Sequence, residues 1–326
     1  MVENSVKAAM RVCSRLLPTI RRHYTTSNEE RDDVSKEILQ RLDQLSQAAL
    51  ASGDLLPVQA QEELMHDQGL TFFVRWVSTL AAKDAASVSI PGGPRDPNFN
   101  PFLPPAPALT VADASPTHNI VLNKFAVCDL HLVLADKVFS EQLSPLRDID
   151  FQVLADFLAL QGGLGFYNGG GPAGASQRHK HTQWVPPAES NGSLALYLDE
   201  LPAQAPVGSV HRHPALVFEH CFVRLLETQD PTALSSSLLS AYQLACKELG
   251  LVTDEQGLLP PHNMLAGQGW LLVVPRSVEL VDGISVNALS YAGCIYVRTP
   301  EQIERVRQIG PLAVLAQAAY ASTRQA

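Results

Sequence analysis

The chain has 326 residues, 46% hydrophobic and 17% charged, with a formal net charge of −9. That balance describes a globular protein with a sizeable core. It argues against a broad electrostatic surface for nucleic acid, yet leaves room for a local basic pocket that takes a small anion. No run reaches the roughly eighteen apolar residues of a membrane-spanning helix. The cysteines at positions 13, 128, 221, 246 and 294 are scattered and contain no Cys-x-x-Cys. Neither a disulfide framework nor a zinc site of ordinary spacing is therefore expected, and the thiols suit a reducing, intracellular compartment.

The first 26 residues differ from the rest. Val2, Val6, Met10, Cys13, Leu17 and Ile20 fall at helical spacing among Lys7, Arg11, Arg15, Arg21 and Arg22, and Glu3 is the one acidic residue before Glu29. An amphipathic, arginine-rich, acid-poor segment has the composition of a mitochondrial presequence. It is equally an ordinary amphipathic helix, so mitochondrial and cytoplasmic locations both stay open. Val34, Ile38, Leu42, Leu45 and Ala49 continue as an amphipathic helix ended by Gly53 and Pro57. Thr71–Thr79 reads as a strand. Ser89–Pro107, dense in proline, glycine and asparagine, is too long for a simple turn. Asn119–Phe125 and Leu130–Ala135 are neighbouring strands. Phe151, Leu154, Phe157, Leu158 and Leu160 mark a helix capped by Asp148 or Asp150 and stopped at Gly162-Gly163. Leu164–Tyr167 is a short strand before a glycine loop, and Arg178–Val185 a strand closed by Pro186-Pro187.

From about Leu201 a second half begins, so 27–200 and 201–326 are expected as two regions. It carries a helix over Thr232–Leu249 with Gly250 at its end. Strands follow at Asn263–Leu265, Trp270–Val274 and Gly293–Val297, then helices at Glu301–Ile309 and Pro311–Ala321. Without regular β-α-β alternation, the expected class is α+β.

The chemistry concentrates in Gly169-Gly170-Gly171-Pro172-Ala173-Gly174-Ala175-Ser176-Gln177-Arg178-His179-Lys180-His181-Thr182-Gln183. A glycine-rich loop can turn backbone N–H groups toward an anion. On a strand, His179, His181 and Gln183 project from one face. An imidazole beside a phosphate cradle is equipped for nucleophilic attack on phosphorus. A His-x-His pair is also a metal-ligand pattern, but no third ligand lies in the motif and no metal site is assigned. His211-x-His213 lacks the glycine loop and reads as surface loop. His118, His131 and His220 read as structural, Trp184 as a core residue, and Cys294 as more buried than reactive.

The run Asn168–Gln183 resembles the diadenosine tetraphosphate phosphorylase (ATP adenylyltransferase) family, a branch of the histidine-triad superfamily with glutamine in place of the third histidine. The resemblance extends to Thr117–Phe125, His131–Leu134, Asn263, Trp270–Ser277, Asn287–Gly293 and Gly310-Pro311-Leu312, so it covers roughly Thr71–Ala319. It implies a histidine-triad-like antiparallel sheet with packed helices, of the galactose-1-phosphate uridylyltransferase-like branch. It implies small-molecule nucleotides as partners, with phosphorolysis of diadenosine tetraphosphate to ADP and ATP through a histidyl-AMP intermediate. His181 is then the nucleophile, its ring oriented by a backbone carbonyl near His179, and Gln183 bonds phosphate oxygens. Gly174, Ala175, Ser176 and Gln177 supply backbone and hydroxyl donors, and Asn168 holds phosphate or ribose. Asn287, Cys294, Arg298 and Lys83 fall at nucleotide-contacting positions. Cys294 and Arg298 stand where the family often has methionine and lysine, and Gly267 where it commonly has threonine. Mg²⁺ is expected to accompany the substrate, with no cofactor held tightly. A nucleotide-sugar transferase or phosphorylase of the same superfamily, and a nucleotide-binding protein without turnover, are the alternatives.

Overall fold

The computed structural model of the protein describes residues 28–77, 100–111, 115, 117–188 and 191–322. Lys83, the segment 1–26 and most of the proline-rich segment lie outside the described residues. In chain order the elements are helix α1 (Asn28–Ser52), the hairpin β1 (Ala60–Asp67) and β2 (Leu70–Val77), β3 (His118–Leu122), β4 (Leu132–Asp136), helix α2 (Asp148–Gln161), β5 (Leu164–Gly169) and β6 (His181–Val185). The second half adds β7 (Val210–His211), β8 (Cys221–Arg224), helix α3 (Pro231–Glu248), β9 (His262–Gly267), β10 (Trp270–Pro275), the two-residue strands β11 (Leu280–Val281) and β12 (Ile284–Ser285), helix α4 (Ala288–Tyr291), β13 (Cys294–Val297), α5 (Glu301–Ile309) and α6 (Pro311–Ala318).

One eight-stranded sheet carries the fold, in the order β3-β4-β6-β5-β9-β10-β8-β7, with every pairing antiparallel. Strands from both halves share it, joined where β5 runs beside β9 from Gly165↔Ala266 to Gly169↔His262. Alternation along each strand divides the side chains between two layers. On one face Trp184, Tyr167, Met264, Leu271 and Val273 pack with Leu154 and Phe157 of α2, Leu238 and Tyr242 of α3, and Leu42 of α1. On the other, Phe166, Val185, Leu265, Leu272 and Val274 meet a smaller sheet ordered β1-β2-β13, together with Val306 of α5 and Leu315 of α6. The α+β class expected from the sequence is the one observed.

Some local readings differ from expectation, the short elements β7, β8 and α4 among them. β1 was not anticipated because its Gln61-Glu62-Glu63 run is polar. It is an edge of the three-stranded sheet, where charge blocks pairing with other chains. Helix α2 is capped neither by Asp148 nor by Asp150 as N-cap residue. Arg147 holds that place, and Asp150, at the third helical position, accepts its backbone N–H at 2.7 Å. Among the described residues no helix is long and apolar enough to cross a membrane.

Candidate active site

The glycine loop leaves β5 at Asn168-Gly169 and turns back toward β6. Gly170 and Gly174 take φ of 85° and 89° on either side of a single 3₁₀ turn, Gly171–Ala173. Those angles strain any residue with a Cβ. Gly174 also has no room for one, since a Cβ there would lie 2.7 Å from the Cβ of Asn287. The turn corrects one expectation. The Gly174 N–H donates to the Gly171 carbonyl at 2.9 Å and the Ala175 N–H to the Gly170 carbonyl at 3.1 Å. A turn this tight satisfies its own donors, so these two groups hold the loop together instead of facing a ligand. Among the described residues, the backbone N–H groups of Ser176, Gln177 and Arg178 make no hydrogen bond within the chain. They are consecutive and lead into His179, so of the four expected donors Ser176 and Gln177 stay available, and Arg178 joins them in place of Gly174 and Ala175.

His181 opens β6. Its Nδ1 donates to the His179 carbonyl at 2.7 Å, and a carbonyl can only accept. This puts the proton on Nδ1 and the ring lone pair on Nε2. The backbone of His181 is clamped by Gln142, a residue the sequence did not single out. Gln142 Oε1 accepts the His181 N–H at 2.9 Å, while its Nε2 donates to the carbonyls of Asn168 at 2.8 Å and His181 at 3.1 Å. β5 and β6 pair only from Leu164↔Val185 to Phe166↔Gln183. Beyond that point they splay, and the Gln142 amide bridges the gap between Asn168 and His181.

The ring of His179 is packed by Phe102 and Phe139, with centroids 5.8 and 5.5 Å away. Asn100 Oδ1 accepts the Phe102 N–H at 3.1 Å, so its Nδ2 is the group that donates to His179 Nδ1 at 2.8 Å. His179 is thereby the Nε2–H tautomer, and burial lowers its pKa. Its carbonyl accepts the His181 Nδ1–H, and its ring anchors the strand. Phe102 also lies 5.2 Å from the His181 ring. With Val133 and Ala135 it forms a small apolar floor beneath the motif.

Gln183 is oriented by a chain of amides and imidazole. Asn123 Oδ1 accepts the Phe125 N–H at 3.1 Å, which turns its Nδ2 toward His131 Nδ1 at 3.4 Å. His131 Nε2 then donates to Gln183 Oε1 at 2.9 Å. With Oε1 engaged from behind, the Gln183 amide keeps its Nε2 donors for a ligand. His131, expected to be merely structural, therefore sets which end of Gln183 faces the site. No spacing rule marks it, because it precedes β4 and reaches the motif only through the sheet.

The remaining predicted residues divide. Asn168 is in place, but its Oδ1 is engaged by Asn263 Nδ2 and the Ala288 N–H, both at 2.9 Å. Only its Nδ2 is left for a ligand. Asn287 lies against Gly174, and its Oδ1 is buried without a partner. Such an acceptor costs stability unless a donor arrives. Cys294 does not line the site. It is fully buried in the core with Ala292 and Ile295, where burial pushes its thiol up to about 12. Arg298 is exposed at the end of β13, on the three-stranded sheet, where its carbonyl accepts the Trp76 indole N–H. The His211-x-His213 pair is not surface loop. His211 lies half-buried on β7 against Trp270, and His213 is buried against Tyr197.

Behind the motif strand, Lys180 points to the opposite side and enters a buried ionic cluster. Lys180 Nζ lies 3.2 Å from Asp150 Oδ2. His118 Nε2 lies 3.0 Å from both Asp136 and Asp150, and Arg147 Nη2 reaches both carboxylates at 2.7 to 2.9 Å. Burial alone would lower the His118 pKa, but its hydrogen bonds to Asp136 and Asp150 raise it. Burial alone would raise that of Asp150. Bonds from His118 and Arg147 and the charge of Lys180 more than offset this and hold it well below the usual carboxylate range. Among the described residues, His118, Asp136 and Asp150 form the one constellation with metal-ligand spacing. It does not fit a divalent ion, because an arginine and a lysine already occupy the carboxylate oxygens.

Two family models match almost all of the described chain: the Ap4A phosphorylase N-terminal domain over residues 28–203, and the ATP adenylyltransferase C-terminal domain over residues 214–321. The chain belongs to the Ap4A phosphorylase family. It is similar to diadenosine 5',5'''-P1,P4-tetraphosphate phosphorylase 2 of Saccharomyces cerevisiae, 26% identical over 309 residues, which are 84% of this chain and 91% of that one. Its fold matches the crystal structure of yeast Ap4A phosphorylase Apa2, with a TM-score of 0.73 and 22% identity over 89% of this chain and 96% of that chain. The same yeast protein in complex with Ap4A gives a TM-score of 0.69 at 22% identity, covering 88% of this chain and 98% of that chain. Gln142, His131 and Asn263 are residues of this Ap4A phosphorylase family member that motif reading alone did not assign to its site.

Proposed function

We propose that the protein cleaves diadenosine tetraphosphate by phosphorolysis, giving ADP and ATP, and runs in reverse as an ATP adenylyltransferase. The observation that carries this reading is the bond from His181 Nδ1 to the His179 carbonyl. The Nε2 lone pair attacks the α-phosphorus, the bond to the bridging oxygen breaks, and ATP leaves. AMP remains on Nε2 as a phosphoramidate, whose positive ring is stabilised by the same carbonyl. An oxygen of inorganic phosphate then attacks phosphorus, the P–N bond breaks and ADP forms. Splitting the displacement in two replaces one difficult step with two easier ones. Donors from Ser176, Gln177 and Arg178, the Asn168 Nδ2 and the Gln183 amide meet the charge that builds on the phosphoryl oxygens. Mg²⁺ enters, on this proposal, with the polyphosphate, since the buried carboxylates are already neutralised by the protein's own cations.

Incubation with diadenosine tetraphosphate, with and without orthophosphate, tests the reading. ADP plus ATP, formed only when phosphate is present, is the expected result. AMP plus ATP would mean a hydrolase. Weighing the trapped histidine adduct separates AMP from the UMP or GMP that a nucleotide-sugar enzyme would carry.

A second expectation concerns Gln183. In His131→Phe the ring volume stays, but Gln183 Oε1 loses its donor, and an unsatisfied buried acceptor costs about 1–3 kcal/mol. The amide then turns in part of the molecules and presents oxygen to phosphate. Steady-state assays are expected to show kcat lower by about tenfold or more. An unchanged kcat would remove His131 from this role.

A further inference from the structure

Arg276 has the least accessible charge in the described chain, and nothing in the reaction above uses it. It is fully buried. Its Nε donates to the Ala318 carbonyl at 3.0 Å, and its Nη2 to the carbonyls of Val278 and Val286 at 2.8 and 2.9 Å. Its Nη1 donates to Asn263 Oδ1 at 2.5 Å. Its guanidinium carbon sits 5.3 Å from the Tyr291 ring centroid. Among the described residues no carboxylate pairs with it, and burial lowers its pKa. A buried cation served only by neutral acceptors is costly, so a fold that keeps one is using its geometry.

The acceptors show what is held. Through Asn263 Oδ1, Arg276 fixes an amide whose Nδ2 donates to Asn168 Oδ1 and to the Ala173 carbonyl, both at 2.9 Å. Ala173 belongs to the 3₁₀ turn of the glycine loop. Through Val286, Arg276 holds the residue next to Asn287, and the Val286 carbonyl would lie 3.1 Å from a Cβ on Gly174. Both flanks of the loop therefore lead to one guanidinium. The loop comes from the first half of the chain and its support from the second.

We propose that Asn263 and Arg276 are positioning residues for the reaction: together they set the glycine loop, and they fix the Asn168 amide with its Nδ2 toward the phosphates. This rests on the phosphorolysis reading. The logic is directional. Arg276 can only donate, so Asn263 must present Oδ1 to it and Nδ2 to Asn168. Asn168 must then turn Oδ1 inward and leave Nδ2 as its ligand-facing group. The Ala288 N–H, which also donates to Asn168 Oδ1 at 2.9 Å, enforces the same polarity, so the arginine and this backbone group together orient a group two hydrogen bonds from the guanidinium.

Asn263→Asp tests this with little risk to the fold. The substitution preserves shape and gives Arg276 a carboxylate, which strengthens their bond. It removes both Nδ2 donations and sets an acceptor against Asn168 Oδ1 and the Ala173 carbonyl. The expected result is a melting temperature within a few degrees of wild type, kcat lower by about 100-fold, KM raised by less than about tenfold, and AMP binding by calorimetry weakened about tenfold. Arg276→Lys, which keeps charge but cannot reach four acceptors, should lower both kcat and melting temperature. Wild-type kcat and wild-type AMP affinity in Asn263→Asp would overturn the proposal, as would a loss of kcat that only follows a loss of melting temperature. If wild-type protein itself forms no adduct from diadenosine tetraphosphate, the activity reading fails instead. Calorimetry with AMP then still decides, because equal affinity in wild type and Asn263→Asp overturns the positioning role.

Discussion

His181→Ala is expected to abolish formation of the histidyl-AMP adduct and to lower phosphorolysis by a factor on the order of 10⁵–10⁶, the scale seen when a covalent nucleophile is removed. No described group can replace it. The neighbouring His179 has its Nδ1 taken by Asn100, and its ring is packed by Phe102 and Phe139. The Gln183 amide carries no nucleophilic lone pair, and His131 is tied to it. Loss of activity should not be loss of fold. What Gln142 holds is the backbone N–H and carbonyl of His181, both independent of the side chain. The variant should therefore bind AMP and melt close to wild type, with Phe102 losing one ring contact. The check is incubation with labelled diadenosine tetraphosphate, followed by intact mass. Phosphate-dependent ADP formation at the wild-type rate in His181→Ala would end the covalent mechanism.

How far the sequence foretold this site depends on the kind of contact. Glycine, histidine and glutamine within sixteen consecutive residues form a local pattern, and alternation placed His179, His181 and Gln183 on one face. Contacts made across the sheet leave no such trace. Gln142 and His181 are 39 positions apart, His131 and Gln183 are 52, and Asn168 and Asn263 are 95. Each pair meets only through the topology. The error about Gly174 and Ala175 has a different origin. A glycine-rich run announces a sharp turn, but not whether the turn uses its own N–H groups. Cys294 shows a third limit, since family position suggested a ligand contact while an apolar residue on a four-residue strand is more readily core. In the fold, the longer helices and most apolar strands were legible, whereas the four-residue strand β8 and the four-residue helix α4 are too short to show a period. The polar edge β1 and the two-residue β7 were not, because neither buries enough apolar surface to mark a period.

The ionic cluster behind the motif leads to the other large effect. Asp150→Ala is expected to destabilise the protein by about 3–5 kcal/mol, the range for breaking a buried ion pair from one side. Lys180 would keep only the Pro145 carbonyl, at 3.3 Å, while remaining buried between His179 and His181 in the chain. Its ammonium, left without a counter-ion, must then move toward water, and that movement loosens the strand that carries His181. The loss depends on pH, and its sign follows from the two shifts. Asp150 is held below its ordinary value of 3.8, so its contribution is present above that pH and is lost as pH falls through the depressed value. His118 is raised above 6.5, so its contribution is full below 6.5 and is lost as pH rises through the raised value. Between about pH 4 and pH 6.5 the cluster is therefore complete, and the gap between wild type and Asp150→Ala should be widest there. Urea unfolding at pH 5.5 and pH 9 reads it directly. A gap that does not narrow at pH 9 would mean that His118 does not change charge in the folded protein between the two pH values. A cost below about 1 kcal/mol at pH 5.5 would place Lys180 in water and separate the motif strand from the charges behind it.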